Sequence, residues 1–213
     1  MQKNTLVAVA AAATLLVGCA GGGLPAAGPT YTAQLQPLNS GVTGSEASGQ
    51  ATFVEDGDRL TIRIRVEGVP ANIEHWQHFH GFADGAPATC ATAAADSNGD
   101  GIVDLIETEP LSGTTMVPFI AHPATMDIPH GTYPVADAGG SYQYEVTVSR
   151  AELQAGFAKQ FPNQRLDLDK RVVYIHGVPA DAPLPSSVSS LGPIPASTTL
   201  PIACGVITRG AGK

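Results

Sequence analysis

The segment His75-Trp76-Gln77-His78-Phe79-His80-Gly81 gathers three of the chain's six histidines and its one tryptophan. Imidazole nitrogens are metal ligands, so the spacing decides whether these rings can act together. In an extended strand, alternate residues share a face and lie about 7 Å apart along the chain. His78 and His80 are placed that way, and two imidazoles at this separation can converge on one ion. A third, His176, closes the apolar run Arg171-Val172-Val173-Tyr174-Ile175-His176 about a hundred residues later and can join them. The metal-free alternative is a set of buried rings satisfied by backbone hydrogen bonds. Two histidines on one strand face and a third on another strand favour metal, and the affinity order of divalent ions favours copper over zinc. His122 and His130 stand in the Pro-containing segments 119–125 and 128–133, where a lone histidine is ordinarily solvated. Of the two, His130 is the better candidate for an extra ligand.

A second group of ligand-type residues follows. Asp96-Ser97-Asn98-Gly99-Asp100-Gly101-Ile102-Val103-Asp104-Leu105-Ile106-Glu107 fits the pattern D-x-[DN]-x-[DN]-G-x5-E at every fixed position. Asp96, Asn98, Asp100, the Ile102 carbonyl, Asp104 and a bidentate Glu107 would together form an all-oxygen cage for Ca²⁺, with Gly101 allowing the sharp turn. Pro110 is expected to cut short any helix after it, so the segment reads as a lone calcium loop set into another fold. The alternative is an acidic turn without metal, in which Gly101 serves backbone geometry only.

The elements that must carry these groups are mostly strands. Segments 30–38, 49–56, 59–69 and 141–149 alternate polar and apolar residues, as in Thr61, Arg63 and Arg65 against Ile62, Ile64 and Val66. Residues 171–178 and 200–208 complete the set, and Glu55-Asp56-Gly57-Asp58 reads as a hairpin turn. One helix is expected, opened by the capping box Ser149-Arg150-Ala151-Glu152 and striped by Leu153, Phe157 and Phe161 before Pro162. Short antiparallel strands, 24 glycines and 17 prolines together indicate an all-β Greek-key sandwich or barrel with one short inserted helix. A length of 213 residues suits one such domain, over 31–208, with the loop 96–107 inserted and 209–213 as a tail. The net charge of −8 excludes an electrostatic grip on nucleic acid or anionic lipid.

The amino terminus reads as an export signal. Lys3 precedes the short apolar run from Thr5 to Val17, and Gly18-Cys19 follows it. A small residue before a cysteine at this point is the pattern of a bacterial lipoprotein signal over 1–18, with Cys19 lipidated and 19–30 a flexible tether. A plain secretory signal with an incidental cysteine is the alternative. The lipid reading anchors the protein to the bacterial envelope. Ala20 lacks the acidic character linked to inner-membrane retention and so points to the outer membrane, with the face left open. Export places the remaining cysteines, Cys90 and Cys204, in an oxidising compartment where they are expected to pair; two free thiols as metal ligands are the alternative.

With these features placed, the chain resembles the copper-zinc superoxide dismutase family. His75-x-x-His78-x-His80 is similar to that family's copper strand, and His176 to its late copper histidine on a Val-Val-x-x-His strand. Cys90, with Cys204 in Ala203-Cys204-Gly205-Val206-Ile207, resembles its intrasubunit disulfide. The match runs over about residues 31–208 in the right order. The resemblance implies copper at His78, His80 and His176, with His75 as framework behind them. It also implies a Greek-key barrel and dismutation of superoxide to O2 and H2O2.

The chain departs from the family elsewhere. Asp96 stands where the family has its bridging histidine, the zinc segment is replaced by the acidic loop, and Pro201 stands where the active-site arginine belongs. Zinc is therefore not expected, and an Asp96 engaged with calcium is not free to bridge to copper. From Val178 to Ala203 there is one charge, Asp181, and there are six prolines, so nothing there steers an anion. Two functions follow as expectations: a copper-dependent dismutase acting on superoxide, or a non-catalytic envelope protein binding copper and calcium. A β domain related to chordin repeats, which can carry a His-x-His-Gly strand, ranks third. An arginine or lysine such as Arg171 or Lys170 lining the site would favour the enzyme; a metal sealed under apolar loops would favour the binding protein.

Overall fold

The structure, a computed structural model, describes residues 28–44 and 46–210. The expected signal, Cys19 and the tether as far as residue 27 lie outside the described residues, as do residues 211–213 of the tail. In chain order the strands are β1 (Thr30–Pro37), β2 (Ser48–Asp56), β3 (Arg59–Glu67), β4 (Gln77–Gly81), β5 (Thr114–Pro118), β6 (Tyr142–Ser149), β7 (Val172–His176), β8 (Pro201–Val206) and β9 (Thr208–Arg209). All pair antiparallel in one curled sheet of order β5-β4-β7-β8-β1-β2-β3-β6, with β9 beside β1. The all-β class expected from alternation is the class observed.

Alternation sets the register on one side of the sheet. In β3, Leu60, Ile62, Ile64 and Val66 are at most 4% exposed, while Arg59, Arg63, Arg65 and Glu67 face water. A slip of one residue would invert both sets, so burial fixes the pairing of β3 with β2 and β6. The buried side chains join Phe53, Phe79, Phe119 and Phe157 in the main core. Each contributes roughly 1.5–3 kcal/mol by leaving water. Arg63 and Glu145 make a two-pronged pair across the outer face at 2.9 and 3.2 Å, but both are exposed, so the pair adds little.

On the other side, β4 and β7 are buried on both faces. They lie in the interior of the sheet order, with one face on the core and the other under the long connections 82–113 and 177–200. The first connection is fastened at several points. Cys90 and Cys204 form the expected disulfide, with a sequence separation of 114. The Tyr174 hydroxyl accepts from the Ala91 amide at 3.0 Å and meets Ser112 at 2.8 Å. Asn39 donates its amide to the carbonyls of Val103 and Pro201 and accepts from the Val103 N–H, so one side chain joins three segments.

The helices correct the expectation of a single one. Beyond α1 (Ser40–Thr43) and α4 (Ala196–Thr199), each about one turn, α2 (Leu105–Ser112) continues through Pro110. The capping box of Asp104 and Glu107 starts this helix, which persists although Pro110 removes one bond and crowds the carbonyl of the preceding turn. The expected helix is α3 (Arg150–Gln160). Its Ser149 accepts from the Glu152 amide, but the other half of the cap comes from the hairpin: Asp58 takes the N–H groups of Arg150 and Ala151.

Candidate metal centre

Strand pairing places the histidines. His78 and His80 lie on the face of β4 away from the core, while Phe79 between them packs into it. β4 pairs with β7 so that His78 is opposite Tyr174 and His80 opposite Val172. His176, two residues beyond Tyr174, shares their face, and its N–H bonds to the Trp76 carbonyl. The ring centroids lie 5.0 Å apart for His78 and His80, 4.6 Å for His78 and His176, and 5.7 Å for His80 and His176. One ligand atom from each ring lies within 4.8 Å of those of the other two, and the residues are 3, 1 and 1% exposed. Among the described residues this is the one group of three or more histidine, cysteine or acidic side chains that converges in this way.

Hydrogen bonds hold two of the three rings. His176 Nδ1 donates to the Thr199 carbonyl at 2.7 Å, which leaves Nε2 as a lone pair. His80 Nε2 meets Thr115 Oγ at 3.2 Å, leaving Nδ1. His78 Nδ1, His80 Nδ1 and His176 Nε2 are all buried and have no hydrogen-bond partner. A buried polar atom without a partner costs about 1–3 kcal/mol, and three adjacent ones are not explained by framework needs. Three buried, unpartnered ring nitrogens on side chains whose ligand atoms converge, two of the rings held by a bond at the other nitrogen, are an arrangement suited to a metal ion.

Burial also keeps the rings neutral. It is the largest cause holding His80 down at about 3 and His176 at about 4. His176 adds to the effect at His80, where a backbone bond to Gly113 opposes it only partly, as the Thr199 bond does at His176. His78 is likewise held well below its ordinary value, by burial first and then by His176 and His80. Neutral imidazole is the ligating form, so the site is ready for metal at any pH near neutrality.

His75 stands behind this group. Its Nδ1 lies 3.0 Å from the His176 carbonyl and its Nε2 2.8 Å from that of Pro70, and the ring stacks on Tyr142. Burial lowers its proton affinity more than the two carbonyls raise it. The ring thus ties the end of β7 to the segment entering β4. Gly177, at φ 116°, permits this approach, since a Cβ there would lie 3.2 Å from His75 Nδ1.

Other expected groups lie elsewhere. His130 is exposed and pairs with Asp127 at 3.1 Å, and His122 is exposed at the start of a short turn, so neither joins the three. A loop open to water satisfies both rings without metal. Arg171 does not line the site: it alternates with Val172 and so faces the opposite side of β7. There its guanidinium donates to the carbonyls of Leu166, Phe82 and Arg165, against Gly81, whose missing Cβ leaves the room. Lys170 pairs with Asp167.

The carboxylates of the acidic loop all accept hydrogen bonds, from within the loop and from Ser187 and Ser189. Asp96 accepts from the N–H groups of Gly99, Asp100 and Gly101, and Glu107 from those of Ser97, Asn98 and Asp104. Asp100 holds Ile102 and Ser187, while Asp104 holds Ile106, Glu107 and the Ser189 amide.

Sequence reasoning did not find Thr115, on the unforeseen strand β5, or the Thr199 carbonyl. A backbone carbonyl carries no residue-type signal. No protein-family model matches the chain, and no characterised protein matches it in sequence.

Proposed function

We propose that the chain is an exported copper-binding protein of the superoxide dismutase-like Greek-key type, which holds its metal at His78, His80 and His176 without turning over superoxide. The observation that carries this is the set of three buried, unpartnered imidazole nitrogens drawn from two neighbouring strands. The Cys90–Cys204 bridge and the strand order support the fold type. Copper, when bound, supplies one-electron exchange between its two oxidation states. The residues around it supply holding rather than turnover. The rings are at most 3% exposed, and Arg171, the arginine at the start of the His176 strand, is engaged on the far side of β7. Neither the exposure of the rings nor the placement of Arg171 and Lys170 thus favours the approach of an anion.

The test is the full chain in detergent, loaded with copper and compared with His78→Ala. One copper per chain, lost in the variant, with no dismutation above free-copper controls is the expected result. Dismutation that needs the bound copper and vanishes in the variant would establish the enzyme instead. No copper bound would leave the histidines as framework.

Calcium at Asp96, Asn98, Asp100, the Ile102 carbonyl, Asp104 and Glu107 is a second proposal, carried by the complete motif. It requires Glu107 to exchange the amides of Ser97 and Asn98 for the ion.

A further inference from the structure

We propose that the three-histidine chamber selects a monovalent ion, so that its resident metal is Cu(I) rather than Cu(II) or Zn(II). This rests on the copper reading above and adds the oxidation state.

The first argument is charge. The three ligands are neutral, and so are the groups bonded to them, the Thr199 carbonyl and the Thr115 hydroxyl. The aromatic neighbour of His80 is Tyr174, whose hydroxyl is engaged with Ala91 and Ser112. No carboxylate belongs to the converging group or bonds to its rings. Asp104, the one buried carboxylate among the described residues, is committed to Ile106, Glu107 and Ser189. An ion placed here keeps its whole charge. The cost of burying an uncompensated charge rises with its square, so a divalent ion bears roughly four times the penalty of a monovalent one.

The second argument is ligand number. Zinc takes four ligands, three from protein and a water where the site is open, and Cu(II) favours a tetragonal set. Cu(I) is satisfied by three. The chamber offers three lone pairs, and with rings 3, 1 and 1% exposed it gives water or an anion little access to complete a fourth position. Charge and coordination number are independent, and both select against the divalent state.

The experiment uses the full chain in detergent without oxygen. Cu(I) affinity is measured by competition with bicinchoninate, and Cu(II) and Zn(II) affinities by competition with chelators of known strength. Ag(I), a monovalent probe that does not change oxidation state, is measured beside them. The expected result is Cu(I) binding at least about 100-fold tighter than Cu(II). By the one-electron relation of 59 mV per decade, this places the bound couple about 120 mV above the aqueous one. Ag(I) is expected to compete with Cu(I), and Zn(II) to bind weakly.

A second variant adds charge without removing a ligand. Thr115→Asp keeps an acceptor beside His80 Nε2 but makes it anionic, and is expected to narrow the gap between Cu(I) and Cu(II) by about tenfold. A purely structural role for Thr115 would lower both affinities together and leave the potential unmoved. Cu(II) or Zn(II) binding as tightly as Cu(I), or an unmoved gap in a folded Thr115→Asp protein, overturns the selectivity and leaves the copper site standing. Absence of all metal, or Cu(I) retained by His78→Ala, overturns both.

Discussion

The chamber between β4 and β7 and the acidic loop 96–107 both gather metal-ligating residue types, yet their polar atoms are in opposite states. In the chamber, three buried nitrogens have no hydrogen-bond partner. In the loop, the carboxylates of Asp96, Asp100, Asp104 and Glu107 all accept from neighbouring N–H or hydroxyl groups. The loop's acceptors are therefore satisfied without an ion, whereas three of the chamber's nitrogens are not. A motif reports which side chains are present; the hydrogen-bond inventory reports whether they still need a ligand.

The largest expected effect comes from cutting the bridge that fastens the cover of both regions to the sheet. Replacing Cys90 and Cys204 by serine should cost roughly 4–5 kcal/mol in the loop-entropy model for a closed loop of 114 residues. Urea unfolding measures it. A loss below about 1 kcal/mol would mean that Asn39 and Tyr174 already hold the cover in place.

Acid should separate the regions next. The chamber rings titrate near 6.5 when unfolded, but at about 4 for His176 and about 3 for His80 in the fold. Below 6.5 the unfolded chain thus binds more protons than the folded one. Metal-free stability is full above that pH and falls as pH drops toward 4 and then 3. In the loop, the Ser187 bond first, with Ile102 and Asn98 behind it, lowers Asp100. At Glu107 burial is opposed and outweighed by the Asp104, Ser97 and Asn98 bonds. Their contribution is lost only below the ordinary carboxylate range. Melting temperatures of the metal-free protein from pH 7 to 5 should decline, and substituting His80 by Phe should flatten that decline. An unchanged slope in the variant would show that the acid sensitivity arises outside the chamber.

The smallest effect sharpens the reading of the loop. Glu107→Gln weakens the capping box of α2 and should cost about 1 kcal/mol without calcium. If the loop binds calcium, the wild-type chain gains thermal stability on adding the ion and the variant does not. An equal response from both would place the ion elsewhere.

Much of this architecture was legible because it is local. β1, β2, β3 and β6 follow from alternation, and β4 from the spacing of His78 and His80. β5 was missed because Pro118 and the Pro-containing segment after it obscured a five-residue strand, and α2 because Pro110 suggested a stop. The three histidines came together as expected, whereas His130 did not, since a solvated position places no constraint on its ring. The bonds that orient and cover the site, Thr199 to His176 and Asn39 to Val103 and Pro201, join residues 23, 64 and 162 positions apart. No window along the chain contains both ends of such a bond.

That separation also orders events during synthesis. A chain leaving the ribosome exposes His78 and His80 first, and His176, the Thr199 carbonyl and Cys204 follow about a hundred residues later or more. A half-made chain therefore presents two histidines on a strand without its β7 partner, and no chamber. The three rings can meet only once β7 has paired with β4, in whichever compartment that pairing takes place.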